Sequence, residues 1–85
     1  MDNFDDYKKF FELRDKYPNL ANLISELLAA FFLNKGHFPK QFYIYGSYSV
    51  EDVNTILKEF GITQDISALL LNLRNSPRTL ITIIK

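Results

Sequence analysis

Few residues in this 85-residue chain have the chemistry for catalysis. His37 is the one histidine, and its neighbours Phe38 and Pro39 supply no acid, base or metal ligand. A general base or a metal ligand needs partners that orient it and hold its charge. His37 therefore reads as a loop residue. The chain has no cysteine, so it has no thiolate nucleophile, no thiolate metal site and no disulfide. Carboxylates gather near the start, at Asp2, Asp5, Asp6, Glu12 and Asp15. They could form a metal or acid–base site. Their spacing fits helix chemistry better: Asp2 as a cap, Asp5 and Asp6 in a first turn, Asp5–Lys9 and Glu12–Lys16 as i,i+4 pairs. No glycine-rich phosphate loop is present, and Gly46-Ser47 reads as a turn. The expectation is a protein that is not an enzyme and takes no metal or cofactor.

Recognition is better provided for. Tyrosine and arginine are the usual anchors of protein interfaces. Tyr43, Tyr45 and Tyr48 stand close together, and Arg74 and Arg78 flank a turn later in the chain. These five are the candidate partner-binding residues. The competing reading has the tyrosines completing the core. A third has bases of a nucleic acid stacking on Tyr43 and Tyr45 beside Lys40.

The elements that position these residues can be read from periodicity. Residues 2 to 17 form a helix, with Phe4, Tyr7, Phe10, Phe11, Leu13 and Tyr17 on one side, and Pro18 stops it. Asn19 to Asn34 is the central helix, capped by Asn19 and ended by Gly36. Its apolar side, Leu20, Leu23, Ile24, Leu27, Leu28, Phe31 and Phe32, spans roughly half the circumference. That width calls for cover from more than one direction. Ala29 and Leu33 form a small patch on the opposite face. Phe38-Pro39-Lys40 is an extended connector, and Gln41 to Tyr45 is a strand with Phe42 and Ile44 on one face. Ser49 caps a helix carrying Val50, Val53, Ile56, Leu57 and Phe60, closed by Gly61. Thr63 caps a fourth helix with Ile66, Leu69, Leu70 and Leu73 inward. Asn75-Ser76-Pro77 is a turn, and Arg78 to Lys85 is a second, β-branched strand.

The expected fold is a small α+β single domain over residues 1–85. Its order is ααβααβ: four helices and a two-stranded antiparallel sheet formed by the first and last strands. Two strands alone are marginal, and an Ile-rich strand with an open edge invites pairing. A homodimer is therefore expected, with Ala29, Leu33, Leu71, Ile81 and Ile83 as interface residues.

The segment ILKEFGITQDISALLLNL, followed by Arg74-Asn75-Ser76-Pro77-Arg78 and a strand, resembles a helix-turn-helix leading into a wing. Gly61 stands at the turn, Ile62 follows it, and Thr63 caps the recognition helix. The resemblance implies a winged-helix-like second half, with Arg74, Arg78 and Lys85 available to a nucleic-acid backbone. The exposed side of that helix offers Gln64, Asp65, Ser67, Ala68 and Leu71, which is not a phosphate-seeking surface.

Ten basic and ten acidic residues leave no net charge to hold a polyanion. The first residues are acidic, unlike a signal peptide. The longest apolar run, Leu27 to Leu33, is far short of the ~20 residues that span a bilayer. The chain reads as cytoplasmic, without membrane contact. The function expected is that of a small non-enzymatic regulator or inhibitor that docks to a protein partner. Compact domains of this kind occur in phages and other mobile elements, and the abundance of Asn, Ile, Lys, Phe and Tyr suits an AT-rich genome. The alternative is a winged-helix-like DNA-binding regulator, with nucleic acid the disfavoured partner.

Overall fold

The computed structural model of the chain describes residues 4–84. The elements are α1 (Phe4–Lys16), a 3₁₀ turn (Pro18–Leu20), α2 (Ala21–Leu33), β1 (Gln41–Tyr45), α3 (Val50–Lys58), β2 (Asp65–Leu73) and β3 (Ser76–Ile84). They make an α+β fold with three α-helices and one three-stranded sheet in the order β1-β3-β2. The expected four helices and two-stranded sheet are corrected accordingly, and the order is ααβαββ. The chain forms two compact units, one ending at Phe38 and one beginning at Pro39.

In the first unit α1 and α2 meet through aromatic rings. Phe10 and Phe31 are buried, with ring centroids 5.2 Å apart. Phe38 closes the cluster at 5.0 Å from Phe31 and 6.1 Å from Phe10. Tyr7 meets Phe31 edge-on at 5.3 Å. Leu13, Leu23, Ile24 and Leu27 are buried in the same unit. Asp2, the expected cap of α1, lies outside the described residues, as does Lys85 at the far end. Asn19 does not cap α2. It sits inside the 3₁₀ turn, and Leu20 holds the cap position without a side-chain bond. The end of α2 is a Schellman motif. Gly36 N–H donates to Phe31 O at 2.9 Å and Lys35 N–H to Phe32 O at 3.0 Å. The first left-handed residue is Lys35, at φ 59°, one position before the glycine.

In the second unit β1 pairs antiparallel with β3, and β2 pairs antiparallel with the other side of β3. The expected pairing of first and last strands is thus present, but β3 is central and has no open edge. β1 and β2 run parallel, and α3 is the crossover between them. Ser49 Oγ accepts from Asp52 N–H at 3.2 Å, which is the cap expected for α3. Val53, Ile56 and Leu57 of α3 are buried, as are Phe42, Ile44, Ile66, Thr79 and Ile81 of the sheet.

The stretch expected as a recognition helix is β2, so the winged-helix reading is overturned. Ile66, Leu69, Leu70 and Leu73 have helical spacing, but pairing decides the conformation. Every residue from Asp65 to Leu73 has a register partner in β3. A helix there would leave the Ile-rich β3 open along one edge. The turn also lies one residue earlier than expected. Arg74 and Asn75, at φ 52° and 64°, form a two-residue hairpin between Leu73 and Ser76. Two successive left-handed residues match the right-handed twist of the strands they join.

Candidate functional site

Directly opposed residues in neighbouring strands share a face of the sheet. On one face Phe42 and Ile44 of β1 pair with Ile81 and Thr79 of β3, and all four are buried. On the other face the register builds rows across all three strands. Tyr43, Leu80 and Leu69 form one row, and Tyr45, Arg78 and Leu71 the next. Gln41, Thr82 and Ser67 border them, and Gln41 Nε2 donates to Thr82 Oγ1 at 3.1 Å. Tyr43 and Tyr45 are 57% and 59% exposed, and Leu69 is 56% exposed. This face is open, aromatic and aliphatic, with one cation on its central strand.

That cation is Arg78. Its guanidinium carbon lies 5.0 Å from the centroid of the Tyr45 ring, a cation–π contact. Its Nε is buried without a hydrogen-bond partner among the described residues. A stacked guanidinium keeps its planar fork aligned for a carboxylate, and Arg holds such an ion in a bidentate grip. Tyr45 and Arg78 are brought together as the sequence implied, because they are the last registered pair of β1 and β3.

The other candidates disperse. Arg74 is exposed in the hairpin turn. Tyr48 is half-buried, and its ring lies over Gly46: a Cβ built there would be 2.8 Å from Tyr48 Cε2. Tyr48 N–H donates to Thr79 Oγ1 at 3.2 Å, and that hydroxyl donates to Gly46 O at 2.7 Å. Thr79 belongs to the buried face, so Tyr48 is tied to that side. Leu69, which extends the open face onto β2, is visible in the sequence only once β2 is read with period two.

The five expected interface residues do not share a surface. Ala29 lines an apolar groove of about 370 Å³ between α1 and α2, with Tyr7, Phe11, Ser25, Leu28 and Phe32. Leu33 is 80% exposed at the end of α2. Leu71 is half-buried on the open face of the sheet, Ile83 half-buried on the other. Ile81 is fully buried and cannot meet a partner.

His37 is exposed after α2, and the Asn34 side chain donates to its carbonyl at 3.1 Å. Among the described residues no three His, Cys, Asp or Glu are grouped to hold a metal ion, and no helix is long and apolar enough to cross a membrane. Comparison with models of protein families, with curated proteins and with solved structures returns no match.

Proposed function

We propose that this protein is a small non-enzymatic regulator or inhibitor that docks the open face of its sheet onto another protein. One observation carries the reading: Arg78 stacked on Tyr45, its Nε buried without a hydrogen-bond partner among the described residues, in the row next to exposed Tyr43 and Leu69. Interfaces concentrate their energy in aromatic and arginine anchors at the centre of an apolar patch. The partner that fits presents a carboxylate to Arg78 and apolar groups to Tyr43 and Leu69. The neutral charge balance supports a protein over a polyanion.

The test is a pull-down from the native host beside thermal melts. Tyr45→Ala and Arg78→Ala are expected to abolish capture of the partner and to leave the melting temperature within a few degrees. A buried aromatic truncated to alanine would instead cost about 3–5 kcal/mol. Arg78→Lys keeps the charge but loses the fork, and is expected to capture weakly. Capture that survives both alanine substitutions would refute the docking face.

A further inference from the structure

β2 is an outer strand, and the polarity of the ladder decides which of its backbone groups are used. Ile83 N–H donates to Lys40 O, and Gly46 N–H donates to Pro77 O. Odd-numbered residues of β3 therefore direct their groups at β1, and even-numbered ones at β2. Through the register, odd-numbered residues of β2 bond to β3. Ile66, Ala68, Leu70 and Asn72 direct theirs away from the sheet. Among the described residues no further strand pairs with that edge.

Edges of monomeric sheets are ordinarily blunted by a lysine, a proline or a bulge. β2 has none of these: from Ile66 to Leu73 it carries no charge, proline or glycine, and its register is unbroken. Leu69 and Leu70 are neighbours on opposite faces of this strand, and they are 56% and 53% exposed. A partner laid on one face covers one of them. A strand added at the edge lies beside both.

We propose that β2 is the seam of a two-fold homodimer, pairing antiparallel with β2 of a second copy into one continuous sheet. The edge is complementary to itself. With Leu69 on the two-fold axis, Ile66 meets Asn72 of the second copy, and Ala68 meets its Leu70. Each outward-facing residue then has a hydrogen-bonding partner, as an isologous interface requires. Leu70 lies beside the small Ala68, and Leu69 against Leu69. The charges at the two ends agree: Asp65 of one copy comes beside Arg74 of the other. A parallel pairing would set Asp65 against Asp65. The seam leaves Tyr43, Tyr45 and Arg78 open on both copies, so it does not rest on the docking proposed above, and either can fail alone.

Sedimentation equilibrium of the full chain, from about 1 to about 100 µM, reads the dimer against the 10.0 kDa chain mass. The expected mass is twice that value. Leu70→Lys replaces an exposed residue, and is expected to give a monomer with an unchanged circular dichroism spectrum. Asp65→Arg sets like charges across the seam and is expected to weaken the dimer about tenfold or more. Adding Arg74→Asp restores the opposite pairing and is expected to recover it. A wild-type monomer throughout, a dimer indifferent to Leu70→Lys, or a charge reversal that fails to rescue would each overturn the seam. Amide exchange on the wild type gives a reading free of mutation. Exchange at Ala68 and Leu70 is expected to slow as concentration rises, and rates independent of concentration would also overturn it.

Discussion

Thr79 shows how much one side chain does here. It is buried to within 1% of full enclosure, and its hydroxyl joins Gly46 O to Tyr48 N–H across the chain between β1 and α3. Pro77 explains the need. Its carbonyl accepts from Gly46 N–H at 2.9 Å, but proline has no N–H to return to Gly46 O. The Thr79 hydroxyl fills that vacancy at 2.7 Å. Thr79→Val keeps the shape and removes both bonds from two part-buried backbone groups, Gly46 O and Tyr48 N–H. The expected loss is about 1–3 kcal/mol, read by urea unfolding. A loss below the error of that measurement would mean water reaches both groups. None of this was legible in the sequence, where Thr79 looked like one more β-branched strand residue. The Tyr45–Arg78 pair was legible, because pairing the first and last strands was enough to bring them together.

At the scale of elements, what could be read depended on the punctuation. β1 was readable to the residue: Pro39 and Gly46 bracket it, and its alternation is clean. α3 was readable because Ser49 and Gly61 mark its ends. β2 was not, because Ile66, Leu69, Leu70 and Leu73 satisfy a helical spacing while Ser67 and Asn72 sit indifferently in either pattern. Its hairpin has no glycine, so only Asn75 signalled a turn, and Pro77 drew that turn one residue later. The end of α2 was misplaced by one residue for a related reason. Gly36 looked like the terminator, yet Lys35 takes the first left-handed position at φ 59°. A side chain with a Cβ pays about 1 kcal/mol for that conformation. Lys35→Gly is therefore expected to raise stability by up to about 1 kcal/mol, offset in part by the added freedom of the unfolded chain. A lower melting temperature would show that the Lys35 side chain makes contacts that outweigh its backbone strain.

At the scale of the molecule the question is how the chain melts. Its two compact units divide at Phe38 and Pro39. The first is near the length of roughly 40 residues below which chains seldom fold without a disulfide, a metal or a partner. With no cysteine to staple it, such a unit is not expected to outlast the rest. One calorimetric transition is expected, with calorimetric and van't Hoff enthalpies equal. Two resolved transitions would show that each unit holds its own stability. The expected wide arc of the central helix bears on the same balance. Leu23, Ile24, Leu27 and Phe31 are buried, while Phe32 stays 65% exposed, so the arc is covered over part of its width.

The position of β3 also has a consequence for the order of events during synthesis. It is the last strand in the described chain, and it lies between the other two. β1 and β2 never bond to each other. While a ribosome is making this protein, both can be complete and still have nothing to pair with. No rung of the sheet can form until Ser76 and the residues after it have emerged, and β1 must then close a loop of more than thirty residues to reach them. The sheet therefore assembles only once the last of its three strands has been made.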